Sequence, residues 1–281
     1  MFTTVIVGLG LMGGSFAMAA QGFKGGRICA IDTDKQVMAA ALKSGVIESG
    51  SSSPDIISKA DLAILCLNPA DTISFIQRNA ALFKPGSLVT DISGVKRAIH
   101  PAIALLPPEV EYVGSHPMAG RECSGFKNAQ KDLFKGANYI ITPENASDKS
   151  VSLIRELAAY IGCSNIITST AETHDRNIAY TSQLMHVLAA AICFDSDLKA
   201  SIGFDGNSFR DCTRVAKLDP LMWSSLFALN ADYLSSSVKK LEDSLGYLRL
   251  LIEGRNTKDI EQALLKAVKL KEEWQNAKDS R

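Results

Sequence analysis

Hydrophobic and polar residues follow one another in two different ways along the chain. Up to about residue 170, short apolar runs alternate with stretches of helical periodicity, which is typical of a parallel sheet with helices on both faces. The predicted strands are 4–7, 27–31, 62–67, 87–91, 111–115, 138–142 and 165–169, with antiparallel additions expected among the last of them. The predicted helices lie near 11–22, 34–44, 55–59, 71–82, 96–105 and 148–161.

Helical periodicity alone continues after Thr170, and Gly254 marks a stop before a charged final helix. The apolar residues recur at spacings of three, four or eight: Leu226, Leu229, Tyr233, Leu241, Leu245, Leu248 and Ile252. We predict an N-terminal α/β domain over 1–170 and an all-α C-terminal domain over 171–281. The apolar stripe is longer than one short helix within the chain would cover, which predicts a homodimer built on the helical half.

The first strand leads into a glycine-rich turn that opens the first helix. Gly8 is expected to make the tight turn, Gly10 to let the backbone approach a pyrophosphate, and Gly13 to let the helix lie close to the strand. The backbone N–H groups of Leu11 and Met12 at the helix start favour phosphate charge. This GxGxxG pattern after a strand predicts dinucleotide binding.

The second strand ends in Asp32, about 20 residues after the glycines. A carboxylate at this place can accept hydrogen bonds from both ribose hydroxyls of an adenosine. It would also repel a 2′-phosphate, and Thr33 offers no compensating cation. We therefore predict NAD in preference to NADP.

Charge and composition exclude several classes of function. Lys plus Arg equals Asp plus Glu at 30 each, and no basic block stands out, so we expect neither nucleic acid nor an anionic membrane as partner. The apolar runs are too short to span a bilayer, and the first strand begins without a leader, which predicts a cytoplasmic protein. The six cysteines and four histidines lack ligand spacing, so we expect reduced thiols and no metal site.

The residues that follow the strands carry the candidate chemistry, because ligands of doubly wound sheets bind beyond the carboxyl ends of the strands. Asn68 follows the third predicted strand, Ser93 the fourth and His116 the fifth. All three are expected to face the crevice of the glycine turn. Asn68 is assigned to the cofactor and His116 to catalysis. A neutral imidazole at His116 can accept a proton from an alcohol that is being oxidised.

Two segments of the helical half add further polar candidates. Asp175, Ala179, Ser182 and His186 share one helix face, although a helix N-terminus with one core histidine would give the same pattern. The segment 209–223 holds two arginines and two aspartates. An arginine fork suits a carboxylate, and a surface ion-pair network is the alternative interpretation.

Taken together, these segments resemble the prephenate/arogenate dehydrogenase family of tyrosine biosynthesis. The resemblance covers nearly the whole chain and is most specific in His116-Pro117-Met118-Ala119-Gly120 and in the FRDxTR sequence that begins at Phe209. It implies a Rossmann-type N-terminal domain followed by an all-α C-terminal dimerisation domain. It also implies oxidative decarboxylation of a cyclohexadienol, with NAD or NADP taking the hydride.

The resemblance assigns roles to residues of this chain. It implies that His116 interacts with the ring hydroxyl and that Arg214 holds a substrate carboxylate. The other residues implied to lie near the substrate are Glu122, Asp211, Gln183 and His186.

Two positions depart from the family pattern. The family commonly has a serine just before Val-Lys, where this chain has Gly94, with Ser93 one residue earlier. The resemblance therefore implies a catalytic role for Ser93. Gln183 stands where the family has the first of two histidines.

We therefore predict NAD-dependent conversion of prephenate to 4-hydroxyphenylpyruvate. Dehydrogenation of arogenate, which gives tyrosine directly, is the first alternative. A different Rossmann-plus-helical dehydrogenase, such as a 3-hydroxyacid dehydrogenase or an imine reductase, would use a lysine or another donor from the helical half in place of His116. A regulator that binds NAD without turnover is the alternative from outside the enzymes.

Overall fold

The computed structural model describes residues 1–144 and 146–280, and an eight-stranded sheet lies at its centre. The strands are β1 Thr3–Val7, β2 Arg27–Ile31, β3 Ser49–Ser51, β4 Leu62–Leu65, β5 Leu88–Asp91, β6 Glu111–Pro117, β7 Asn138–Pro143 and β8 Asn165–Thr168. Their order is β3-β2-β1-β4-β5-β6-β7-β8. Neighbouring strands are parallel except β6 and β7, which are antiparallel. The first six strands thus have the 3-2-1-4-5-6 order of a dinucleotide-binding sheet.

The α-helices of the described residues flank the sheet and then continue alone. They are α1 Leu11–Ala19, α2 Lys35–Lys43, α3 Pro69–Asn79, α4 His100–Ile103, α5 Asp148–Tyr160, α6 Ala171–Ile178, α7 Leu184–Cys193, α8 Asn207–Thr213, α9 Pro220–Leu229, α10 Ala231–Glu253 and α11 Thr257–Asp279. A π-helical turn, Ala179–Gln183, joins α6 to α7. Such turns are rare and frequently lie at functional sites.

The structure confirms the predicted fold class and all seven predicted strands. It adds β3, which the sequence analysis missed because this strand has three residues and no apolar member. The antiparallel addition is also confirmed, since β7 and β8 run opposite to β6.

Both faces of the sheet are buried, which explains why its strands are continuous apolar runs in the sequence. In β1, Ile6 packs in one core cluster with Phe16 of α1, and Val5 and Val7 pack in the other with Ile76 of α3. Both faces of the sheet are therefore closed to solvent, and ligands can reach it only at its edges.

Compactness divides the chain into two units, Met1–Ala231 and the residues from Asp232 onward. The predicted boundary at residue 170 coincides with the end of the strands and stays a prediction for the domain limits. The first compact unit contains α6 to α9 as well as the sheet. Leu226, predicted to begin the exposed stripe, is buried in this unit. No helix of the described residues is both long enough and apolar enough to cross a membrane.

Candidate active site

The glycine turn has the geometry that a bound pyrophosphate requires. Gly8 has φ +89°, and a Cβ added there would lie 2.8 Å from the Cys66 carbonyl oxygen. A Cβ on Gly13 would lie 1.8 Å from the Gly8 carbonyl oxygen, so α1 can approach β1 only with glycine at this place. Space around Gly10 is open, and no described side chain caps α1. The N–H groups of the first helical turn are thus available to an anionic group.

Asp32 lies at the carboxyl end of β2 and orders this turn. Its Oδ2 accepts a hydrogen bond from the Leu9 N–H at 2.6 Å, and its Oδ1 accepts one from the Asp34 N–H at 2.8 Å. A shallow pocket beside it is also lined by Lys35. Glycine turn, carboxylate and pocket together fit the adenosine diphosphate half of NAD.

Replacing Asp32 by Ser and Thr33 by Arg should shift cofactor preference from NAD toward NADP. The change removes the carboxylate that repels a 2′-phosphate and adds a cation next to Lys35. The measurement is the ratio of kcat/KM for the two cofactors. Asp34→Ser is the control. Because Asp34 only caps α2, this variant should keep the preference for NAD. Equal use of both cofactors by the unsubstituted protein would show that Asp32 does not select NAD.

Three side chains form a hydrogen-bonded chain at the carboxyl edge of the sheet. His116 lies in β6, and its Nδ1 is 2.9 Å from Nε2 of His174 in α6. Nδ1 of His174 is in turn 2.7 Å from Oδ1 of Asp175. His174 and Asp175 are buried, and His116 is partly exposed.

The hydrogen bonds from His116 through His174 to Asp175 determine the tautomer of each histidine. The Asp175 carboxylate can only accept, so His174 donates from Nδ1 and keeps a lone pair on Nε2. That lone pair accepts the Nδ1–H of His116, which leaves Nε2 of His116 as a free acceptor. An imidazole with an unprotonated Nε2 has the form that a proton acceptor needs.

The surroundings keep both histidines neutral. Burial, the neighbouring His174 and the Lys96 ammonium hold the pKa of His116 well below its ordinary value of 6.5. Burial also lowers the pKa of His174. Burial acts to raise the pKa of Asp175, but hydrogen bonds from His174 and from the Arg97 and Lys96 backbone lower it overall. Asp175 therefore stays a carboxylate that can orient His174.

Ser93, predicted to be catalytic, is buried and makes no hydrogen bond to His116. Its N–H donates to Oδ2 of Asp91 at 2.7 Å, and its Oγ has no hydrogen-bond partner among the described residues. The neighbouring Gly94 is the residue that faces the base, since a Cβ there would lie 3.9 Å from Cε1 of His116. A catalytic Ser93 stays a prediction that this geometry does not support.

Arg214 forms a second cluster with two of the predicted site residues. Its guanidinium makes an ion pair with Glu122, and both side chains are largely exposed. His186 stacks on Trp223 with ring centroids 3.6 Å apart, and its Nδ1 donates to the Ser182 carbonyl oxygen at 2.9 Å. Burial, together with the nearby Arg214, lowers the pKa of His186. This cluster combines a cation for a carboxylate with an aromatic wall.

Asp211 and Arg210 do not join this cluster by any described contact. Asp211 is exposed, and Arg210 pairs with Asp205 at 2.7 Å. The two arginines of the segment therefore have different partners, which makes Arg210 a natural control for Arg214.

Gln183 has no free hydrogen-bonding group that faces solvent. Its side chain is 1% exposed, donates to the Leu226 carbonyl oxygen at 3.3 Å and accepts from Asn230 at 2.8 Å. Asn230 also donates to the Asp175 carbonyl oxygen at 2.9 Å. We therefore assign Gln183 to the support of α6 and not to substrate contact. Asn68, predicted for the cofactor, caps α3 through the Asp71 N–H and remains exposed.

Three residues of the site were missed as functional residues in the sequence: His174, Lys96 and Trp223. Asp175 was expected only as one member of a polar helix face. Lys96 carried a signal, because it lies in the loop after a predicted strand, five residues beyond the end of that strand. Trp223 follows Leu221 and Met222 in a helix rich in apolar residues, so its residue type alone gives no sign of a functional role. The contact between His116 and His174 spans 58 residues, that between Lys96 and Asp175 spans 79, and that between His186 and Trp223 spans 37. Spacing along the chain does not reveal such contacts.

Comparison with known proteins agrees with this geometry. The family model "Prephenate dehydrogenase, nucleotide-binding domain" matches residues 16–184, and the model "Prephenate dehydrogenase, dimerization domain" matches residues 170–269. A prephenate dehydrogenase of Bacillus subtilis is 28% identical over 269 residues, which cover 92% of this chain and 72% of the relative. A cyclohexadienyl dehydrogenase of Zymomonas mobilis is 27% identical, covering 85% of this chain and 87% of that one.

A similar solved structure is the prephenate dehydrogenase of Aquifex aeolicus in complex with hydroxyphenyl propionate and NAD⁺. It has a TM-score of 0.86 and 28% identity and covers 97% of each chain. The arogenate dehydrogenase of Synechocystis has a TM-score of 0.83 at 23% identity, a likeness of fold, and covers 97% of this chain and 100% of that one.

Proposed function

The chain belongs to the prephenate dehydrogenase family and is an NAD-dependent oxidoreductase, and we propose that it converts prephenate to 4-hydroxyphenylpyruvate by oxidative decarboxylation. The observation that carries the proposal is the His116–His174–Asp175 chain, which presents the unprotonated Nε2 of His116 at the carboxyl edge of the sheet. The glycine turn lies at the same edge. Base and cofactor site therefore open on one crevice.

The cofactor supplies the hydride acceptor, and the residues of the glycine turn and Asp32 would hold its adenosine diphosphate half. Leu11 and Met12 would bind the pyrophosphate through their N–H groups. The protein's own side chains would orient the substrate and transfer one proton.

His116 would take the hydroxyl proton of the substrate at Nε2 while a hydride leaves C4. The bond from C1 to the carboxyl group then breaks, its electron pair enters the ring, and CO2 leaves. The ring becomes aromatic, and the oxygen takes back a proton from His116. While His116 is positively charged, the hydrogen bond to His174 and the Asp175 carboxylate behind it stabilise the imidazolium. Positioned general bases of this kind typically contribute about 10²–10⁴-fold in rate.

Arg214 would bind a substrate carboxylate, and it would first have to exchange its contact with Glu122. A planar guanidinium can hold a carboxylate through two parallel N–H bonds. The stack of His186 on Trp223 would lie along the apolar part of the substrate. These contacts would orient the substrate without forming a covalent bond to it.

Arogenate is the second candidate substrate, and Glu122 is the residue that supports it. Its carboxylate, next to Arg214, could receive the ammonium group that arogenate has and prephenate lacks. An assay of NADH absorbance with each substrate separates the two. We expect the higher kcat/KM with prephenate. A preference for arogenate would reverse the assignment, and binding of NAD without turnover of either would indicate a regulator.

We propose a homodimer formed by the second compact unit. Its helices expose large apolar side chains, each more than a third accessible: Leu245, Tyr247, Leu248, Leu250, Ile252, Leu264, Leu265, Val268, Leu270 and Trp274. Patches of this extent usually mark interfaces. The match to a dimerization domain supports the proposal. We also propose a cytoplasmic location, since all six cysteines are unpaired, as in a reducing compartment.

Light scattering should give a mass of about 60 kDa, twice the chain mass of 30.2 kDa. Replacing Leu264 and Val268 together by Glu should reduce the mass toward that of one chain, because the charges would lose their solvation in the interface. Glu272→Lys, on the same helix, serves as the charge control. A mass of one chain at micromolar concentration for the unsubstituted protein would contradict the dimer.

A further inference from the structure

Lys96 is a buried cation that the proposed reaction does not use. It follows β5, and its side chain is 1% exposed. Its Nζ donates to the two carboxylate oxygens of Asp91 at 2.9 and 2.8 Å and to the Ser115 carbonyl oxygen at 2.5 Å. Ser115 directly precedes His116, so the ammonium holds the backbone next to the base.

The backbone of Lys96 contacts the other end of the histidine chain. Its N–H donates to Oδ1 of Asp175 at 2.8 Å, the same oxygen that accepts from His174. The next N–H, of Arg97, donates to Oδ2 of Asp175 at 2.9 Å. One residue thus contacts both Asp175 and the peptide that carries His116.

We propose that Lys96 is a positioning residue, which holds His116 and Asp175 at hydrogen-bonding distance on either side of His174. This inference rests on the proposed role of His116 as the base. Lys96 is not assigned contact with the substrate or with the reacting atoms.

The environment of Lys96 explains how a lysine can do this. A buried ammonium is costly unless it is paired, and Asp91 supplies the opposite charge. Asp91 also accepts hydrogen bonds from the Ser93 N–H and from the hydroxyl of Tyr112. Both oxygens of the Asp91 carboxylate are thus hydrogen-bonded, and buried networks of this kind tolerate few other arrangements. The network therefore restricts where the Ser115 carbonyl, and with it His116, can lie.

The positive charge has a second effect on the base. His174 of α6 and Lys96 are the charged or titratable groups that lower the pKa of His116 beyond the effect of burial. Asp91 and Asp175 lie behind them. Without the Lys96 charge, His116 should bind a proton at higher pH, so the acid limb of the kcat profile should move upward.

The test is the double variant Asp91→Asn with Lys96→Met, which removes both charges of the pair and leaves no carboxylate uncompensated in the interior. We expect kcat for prephenate to fall about 10- to 100-fold, as small misplacements of reacting groups do, while KM for NAD stays within about threefold. The acid limb of kcat should shift upward. Nitrogen–proton correlation spectra of the histidine rings should show that Nδ1 of His116 no longer donates uniformly to His174.

The pair Lys84 and Asp61 provides the matched control. These residues form an ion pair of 2.5 Å at the opposite edge of the sheet, before β5 and β4. Asp61→Asn with Lys84→Met should leave kcat within about twofold. Tyr112→Phe, which removes one donor to Asp91, should give a smaller loss of kcat in the same direction as the double variant.

A folded Asp91→Asn, Lys96→Met protein with unchanged kcat, pH profile and histidine spectra would show that the pair is only structural. An equal loss of kcat in the Asp61→Asn, Lys84→Met control would lead to the same conclusion. If the double variant does not fold, an unchanged pH profile and unchanged spectra in Tyr112→Phe would also overturn the proposal. Failure of the unsubstituted protein to turn over prephenate would refute the proposed function instead. The ring spectra then still test the positioning, because they need no substrate.

Discussion

Replacement of His116 by Asn should lower kcat about 10²–10⁴-fold and leave KM for NAD nearly unchanged. Asparagine can keep a hydrogen bond toward His174, but it cannot take the hydroxyl proton. Stopped-flow or steady-state measurement of NADH formation with prephenate checks the result. The substrate KM should change little, because His116 acts on charge that develops only during the reaction.

His100→Asn is the control for this variant. His100 pairs with Glu144 at 3.2 Å and has no contact with the His116–His174–Asp175 chain. We expect its kcat to stay within about twofold of the unsubstituted value. A fall of less than tenfold in His116→Asn would remove His116 as the base.

The pH dependence of kcat follows from the same environment. Because the pKa of His116 lies well below 6.5, the unprotonated base persists below the pH at which an ordinary histidine becomes charged. Activity should fall only as the pH drops through that lowered pKa. The same acid limb should be absent from the residual activity of His116→Asn.

Arg214→Ala should raise the KM for prephenate by roughly 30- to 4,000-fold, with a smaller effect on kcat. The figure corresponds to the loss of about 2–5 kcal/mol when an arginine–carboxylate pair is broken that the bound substrate has desolvated, at 1.4 kcal/mol per factor of ten. Arg214→Lys should recover little of this, since an ammonium cannot reproduce two parallel N–H bonds. Initial rates over a range of prephenate concentrations give both constants.

Arg210→Ala tests whether the effect is specific. Arg210 lies one helical turn earlier, is exposed and pairs with the partly exposed Asp205, an arrangement that contributes little free energy. Its KM should change less than about threefold. Small and equal effects at both arginines would mean that the segment is a surface ion-pair network, and Arg214 would lose its role in substrate binding.

Local patterns were sufficient to predict the sheet and the cofactor site. The glycine turn and Asp32 belong to one βαβ unit, in which steric and electrostatic demands act between near neighbours. The strands were predictable because both faces of the sheet are buried, as in β1 with Val5, Ile6 and Val7. The strand β3 escaped because its three small residues pair at an edge and carry no apolar signal.

Side chains that meet across long stretches of sequence could not be predicted in this way. His116 and His174 are 58 residues apart, and Lys96 and Asp175 are 79 apart. A lysine is rarely fully buried, so nothing in the sequence marks Lys96 as interior. From the sequence, Leu226 was predicted to lie in the dimer interface and Gln183 to contact the substrate. Only the packing of α9 against the π-helical turn shows that both residues are interior.

The bonds between Asp175 and the loop after β5 determine where this protein can be recombined with its relatives. A chimera joined at Thr170 would take the sheet from one parent and α6 from another, and the Lys96 and Arg97 amides would meet a foreign carboxylate. Crossovers near Ala231 would take the whole His116–His174–Asp175 chain, and the Lys96 and Arg97 amides that contact it, from one parent. Libraries built by shuffling should therefore yield active members mainly from the later junction, although the earlier one matches the visible change in secondary structure.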